Sequence, residues 1–136
     1  MNTKRFLLAV VAVFVFVFVN FFEMLYHQYL VGELYGQTAE LWRPTETMED
    51  YMLWMWIGYA LLSVMFCYIF LKGYENKGVM EGVRYGLLIG ILMAHGSFVM
   101  YAVMPIPFAM AVYWIVDALV LCTVSGAILA AVYKPA

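Results

Sequence analysis

The chain reads as an all-α integral membrane protein, a four-helix bundle in up-down-up-down order with both termini in the cytoplasm. Three observations predict this. Four long apolar stretches, Phe6–Phe22, Tyr51–Leu71, Val83–Met104 and Phe108–Val132, fill most of the 136 residues, and each approaches or exceeds the roughly 18 to 20 residues a helix needs to cross about 30 Å of hydrocarbon. Hydrophobic residues make up 67% of the chain and charged residues 12%, which leaves too little polar surface for a body in water. The cations Lys4, Arg5, Lys72, Lys77, Arg84 and Lys134 flank one set of loops, while Arg43 stands alone on the other side among Glu33, Glu40, Glu46, Glu49 and Asp50. Cytoplasmic loops carry the Lys/Arg excess, and that bias sets the orientation.

A single membrane domain, residues 1–136, is expected, with spans at about 5–31, 48–72, 79–104 and 107–133 and no room for a soluble domain. The net charge of −2 gives no footing for nucleic acid or for a polybasic lipid site. Cys67 and Cys122 lie far apart in separate spans without CxxC or metal-type spacing, so they are expected to be small core residues.

Each element follows in order. Lys4-Arg5 and the apolar run after it resemble a signal peptide, but no small-x-small cleavage site follows, which predicts an uncleaved signal anchor. The alternation Val13-Phe14-Val15-Phe16-Val17-Phe18-Val19 has the period of a strand. An isolated strand in lipid would leave its backbone unpaired, so helix is the expectation. From Glu23 to Leu41 no proline intervenes, and the first helix is expected to continue as an outer collar until Trp42-Arg43-Pro44 stops it. Thr47-Met-Glu-Asp50 has the form of a capping box that would start the second span. Gly73 to Gly78 makes an inner turn, and Met104-Pro-Ile-Pro107 makes an outer turn so short that the third and fourth helices must be antiparallel neighbours. Trp56-Ile57-x-x-Ala60-Leu61 is echoed by Trp114-Ile115-x-x-Ala118-Leu119, a faint sign of two related hairpins.

Small residues recur every four positions in the last two helices. Gly78, Gly82, Gly86, Gly90 and Ala94 form one stripe, and Ala118, Cys122, Gly126 and Ala130 the other. Lipid offers helices no hydrophobic drive to associate, so contact depends on close van der Waals approach, which such stripes permit. They predict the fixed seam between these two helices, a contact between copies of the chain or a sliding gate.

Intramembrane ionisable groups cost about 2.5 to 3.5 kcal/mol at a helix centre on insertion scales, so each needs a reason. Asn20, Glu23 and His27 share one face of the first helix. Counting about 1.5 Å per residue puts Asn20 near 21 Å from the inner boundary, His95 near 18 Å and Asp117 near 21 Å, with His27 close to the outer surface. A His95–Asp117 pair beside the seam is therefore expected, joined by Asn20 or Glu23. Asn20, Glu23, His27, His95 and Asp117 together form the candidate polar cluster. It has three competing meanings: a structural knot, a proton or cation relay, or a metal or haem site drawing on His27, His95 and Glu23. No repeated Glu-x-x-His pattern of di-metal bundles is present, and neither a metal nor another cofactor is expected. Glu81 and Arg84 should form an interfacial ion pair. Nucleophile motifs, phosphate loops and paired catalytic carboxylates are absent, so no catalytic residue is assigned and no enzyme activity is expected.

The segments Leu41-Trp42-Arg43-Pro44, Lys72 to Gly78, Glu81 to Gly90 and Val103-Met-Pro-Ile-Pro107 resemble those of a family of small four-span bacterial inner-membrane proteins without an assigned reaction. That resemblance implies a location in the bacterial inner membrane and supplies no site residues. The expected role is a non-catalytic accessory subunit, with the lipid bilayer and other membrane subunits or copies of itself as partners and no nucleic acid. A small proton- or cation-coupled transporter or channel is the alternative, and a haem- or quinone-binding redox subunit the second.

Overall fold

A computed structural model of the protein describes residues 3–133, with side chains from Phe6 onward; the side chains of Lys4, Arg5 and Lys134, used above to orient the chain, lie outside the described residues. Within this range every regular element is helical: α1 (Thr3–Tyr29), α2 (Gly32–Gln37), α3 (Thr45–Met48), α4 (Met52–Lys72), α5 (Val79–Val103) and α6 (Phe108–Val132), with single 3-10 turns at Ala39–Leu41 and Glu49–Tyr51. Four of these helical runs, Phe6–Tyr29, Ala39–Lys72, Val79–Val103 and Phe108–Val132, are long and apolar enough to cross a membrane.

The Val-Phe alternation is helical, as lipid demands, and burial follows the helical turn rather than the residue type, with Val13 and Val17 exposed. Val11, Val15 and Val19, one turn apart, are buried, while Phe14 and Phe21 point outward. The slim valine stripe lets α1 lie against Phe66 and Phe70 of α4 and Leu121 of α6, and these side chains form the main core with Cys67, Cys122 and Leu129. Both cysteines are buried and free.

The first helix does not run unbroken to Leu41. It ends at Tyr29, and the chain turns through Leu30 and Val31 before α2. Val31 is wholly buried in a second core with Tyr26, Ile106 and Met110. A straight helix would carry residue 31 away from the Pro-Ile-Pro turn; bending brings it into that core, and burying a valine contributes about 1.5–3 kcal/mol. The bend also folds the collar back over the end of the bundle. There Thr38 Oγ1 donates to the Leu34 carbonyl at 2.8 Å and accepts from Trp42 Nε1 at 2.8 Å.

Thr47 does not cap α4. Its hydroxyl donates back to the Pro44 carbonyl at 3.1 Å, and Pro44 occupies the N-cap of α3. α4 needs no side-chain cap because the turn before it is already helical: the Met52 amide bonds the Glu49 carbonyl, so the amides orphaned at an isolated helix start find partners here.

The expected Glu81–Arg84 ion pair is replaced by a different arrangement. Glu81 is buried and accepts from the Glu75 amide at 2.6 Å and the Lys77 amide at 2.7 Å, one carboxylate oxygen to each, while Arg84 is exposed. The first four amides of an α-helix lack intrahelical partners, and a glutamate at the third helical position reaches back toward the start; here it reaches further and fixes the loop. Asn76 at φ 60° and Gly78 at φ 77° supply the left-handed backbone this tight path requires. Lys77 pairs with Glu75 on the surface, and its ammonium holds the Glu75 carboxyl below the usual carboxylate range.

α5 and α6 meet along the small-residue stripes. A Cβ placed on Gly82 would fall on the Gly126 carbonyl oxygen, one on Gly86 would fall on that of Cys122, and one on Gly90 would lie 2.9 Å from that of Ala118. Partner numbers fall as the first numbers rise, so the helices are antiparallel, with Ala94 buried in the seam and Ala130 against Gly82. Gly78 stands outside this seam in open space; it precedes α5 and serves as its N-cap. On the flank of the seam, Tyr85 donates to the Phe66 carbonyl at 2.6 Å and packs against the Phe66 and Phe70 rings, tying α5 to α4.

Candidate functional site

Glu23 and His27 sit one turn apart on α1, on the side facing α6 and the folded-back collar. His27 Nε2 lies 3.1 Å from Glu23 Oε2 and 3.5 Å from Asp117 Oδ2 on α6. The other ring nitrogen, Nδ1, is 2.7 Å from the Tyr35 hydroxyl on α2, and the Tyr35 ring stacks on the imidazole with centroids 5.8 Å apart. Trp114, one turn before Asp117 on α6, donates its indole N–H to the same Tyr35 oxygen at 3.0 Å. Tyr59 of α4 donates to Glu23 Oε2 at 3.3 Å. Five side chains from four helices thus surround one histidine. The register between α1 and α6 is held by Tyr26, whose hydroxyl donates to the Tyr113 carbonyl at 2.7 Å.

Burial separates the members. The side chains of Glu23 and Asp117 are each 11% exposed and that of His27 30%. Asp117 Oδ1 is buried without a hydrogen-bond partner, a state that costs about 1–3 kcal/mol or more for a charged group. Burial pushes the Tyr35 phenol above its ordinary pKa, against the lowering effect of the Trp114 bond and with a further upward push from Asp117 and Glu23, so Tyr35 is a neutral hydroxyl at physiological pH. With one Tyr35 lone pair taken by Trp114, a single hydrogen is shared between Tyr35 and His27 Nδ1. In either direction of that bond, Nε2 faces the two carboxylates.

Three grooves reach His27. One of about 660 Å³ lies between the collar and the N-terminal end of α4, bordered by Tyr35, Trp42, Arg43 and Tyr59. A second, of about 580 Å³, runs between α1 and α4 past Asn20, Glu23 and Tyr59. The third, of about 310 Å³, opens beside Trp114 and Asp117 toward Gly96 of α5.

Of the five residues expected to cluster, Glu23, His27 and Asp117 meet. Asn20 donates within its own helix to the Phe16 carbonyl at 2.8 Å and borders the α1–α4 groove. His95 is exposed, with Nδ1 2.7 Å from the Leu92 carbonyl, and the expected His95–Asp117 pair does not form. The seam explains why. His95 follows seam residue Ala94 and Asp117 precedes seam residue Ala118, and each step turns about 100° around its helix. Because the two helices run in opposite directions, these two steps lead to opposite flanks. Asp117 turns toward α1, and His95 turns away from the bundle.

The depth count missed the His27–Asp117 contact because it started all helices from common planes. Tyr35 and Tyr59 carry no periodic link to His27. Trp114 does carry a signal, its i, i+3 spacing to Asp117, which places both on one face. Comparison with protein-family models, curated proteins and solved structures finds no match for this chain.

Proposed function

We propose that the chain is a four-span protein of the bacterial inner membrane, its helices alternating up and down with both ends in the cytoplasm, and that it acts as a small coupled carrier taking up a proton or cation at Glu23, His27 and Asp117. The observation that carries this reading is the convergence of three titratable side chains in an otherwise apolar bundle, with grooves leading to them. Intramembrane ionisable groups are expensive and mark ion or proton pathways. The one-sided distribution of Lys and Arg supports the orientation, and the family resemblance supports the membrane.

The accessory-subunit reading comes second. It rests on the outer half of α4, where Leu53, Trp54, Trp56 and Ile57 are exposed, a face that lipid covers as well as a partner would. The haem reading loses its paired-histidine ligand set, since His27 and His95 look out on different sides.

Proteoliposomes with a trapped pH dye and an imposed ion gradient test the carrier reading. Wild type should carry a flux that Asp117→Asn and His27→Gln each remove, and equal flux in all three would exclude it. Native mass spectrometry after mild extraction tests the subunit reading by the presence of a defined partner.

A further inference from the structure

We infer that Glu23, His27 and Asp117 are the protein ligands of a divalent transition-metal ion of the zinc type. This deepens the carrier reading by naming the cation class, and it rests on that reading's premise that the cluster takes up a cation.

Spacing comes first. One oxygen from each carboxylate and one imidazole nitrogen lie within 4.8 Å of one another, with edges of 3.1 Å and 3.5 Å from His27 Nε2. Ligands at about 2.0–2.1 Å from a tetrahedral zinc ion are separated by roughly 3.3–3.4 Å, a value these two edges bracket. The 3.5 Å edge is long for a hydrogen bond and ordinary for two ligands of one ion.

The donor set names the class. Imidazole suits zinc and its first-row neighbours, whereas magnesium and calcium prefer oxygen alone. Two carboxylates would balance the charge of a dication.

The surroundings match what a ligating histidine requires. The second ring nitrogen meets Tyr35, itself held by Trp114, and such an outer contact fixes the ring and its tautomer. When Nε2 binds a metal, Nδ1 carries the hydrogen and donates to the second Tyr35 lone pair, an arrangement the Trp114 bond leaves open. The independent sign is the orphan oxygen. Asp117 is 8% exposed as a residue, and its Oδ1 has no partner, although buried polar atoms are nearly always satisfied. A cation held by both Asp117 oxygens, Oδ2 and Oδ1, would remove that deficit. Three protein ligands leave a fourth position for water or for exchange through the grooves beside His27 and Tyr59.

The test uses the full chain in detergent, stripped with a chelator and titrated with Zn²⁺, Co²⁺ and Mg²⁺ by calorimetry and, for Co²⁺, by visible absorption. One Zn²⁺ per chain should bind, Mg²⁺ should not compete, and Co²⁺ should give the intense bands of tetrahedral coordination. Asp117→Asn and His27→Gln should each weaken Zn²⁺ by more than Tyr35→Phe, which keeps all three ligands and should lose about 10- to 100-fold. His95→Gln should bind as wild type. Absence of Zn²⁺ binding to a folded wild type, or Zn²⁺ binding unchanged in both His27→Gln and Tyr35→Phe, overturns the inference. A His27-dependent proton flux without metal binding would sink the metal and leave the carrier reading standing; metal binding without flux would do the reverse.

Discussion

The seam between α5 and α6 and the contact between α1 and α6 sit on two sides of one helix and are built on opposite principles. Along the seam, backbone meets backbone: Gly82, Gly86 and Gly90 leave no room for a single extra carbon, and the attraction is the sum of many small dispersion contacts. Along the α1 side, the half nearer the collar is polar and aromatic, with His27, Glu23, Asp117, Tyr35 and Trp114 joined by directed bonds and flanked by grooves. Shape complementarity fixes the first contact and leaves no cavity to work with. The second accepts looser packing, and chemistry becomes possible there.

Substitutions can break that contrast. The largest effect is expected from Gly86→Leu, whose side chain would drive into the Cys122 backbone. Overpacking costs about 1–3 kcal/mol even where side chains can yield, and carbonyls yield less, so loss of folded protein in size-exclusion profiles is expected. Next is His27→Leu, which leaves the Glu23 and Asp117 carboxylates side by side without the imidazole between them and should lower stability by about 3–5 kcal/mol, read as a fall in the thermal midpoint in detergent. Glu81→Gln should cost about 1.5–3 kcal/mol, because it replaces a carboxylate accepting two amides; hydrogen exchange should speed up at the Glu75 and Lys77 amides while the seam stays protected. The smallest effect belongs to Gly96→Ala, where an added methyl meets nothing. Removing a helical glycine should then be neutral or stabilise by up to about 1 kcal/mol, and a loss at this position would show that the seam extends further than Ala94.

The same contrast explains what could be read in advance. Span length and the four-residue spacing of small side chains are properties of single helices, so the four long helices and the members of the seam from Gly82 to Ala130 were legible. Glu23 and His27, one turn apart, were legible as a pair for the same reason. Their partner was not. Whether His27 faces Asp117 depends on how far α1 slides along α6, and that offset is set by Tyr26 reaching the Tyr113 carbonyl and by Val31 turning into the Ile106–Met110 core. No single-helix pattern encodes it. The break at Leu30–Val31 was hidden because neither proline nor glycine precedes it, and burial of Val31, a tertiary gain, overrides local helical preference. Tyr35 reached the site only through that break.

The order of assembly follows from the sequence separation of one bond. The Trp114–Tyr35 hydrogen bond joins residues 79 apart in the chain, whereas α5 and α6 are consecutive helices joined by a turn of a few residues. Contacts between near neighbours close quickly and distant ones wait for the intervening chain. The hairpin of α5 and α6 should therefore insert and zip first, and the indole of Trp114 should register the arrival of the collar last, making its fluorescence a clock for the completion of folding.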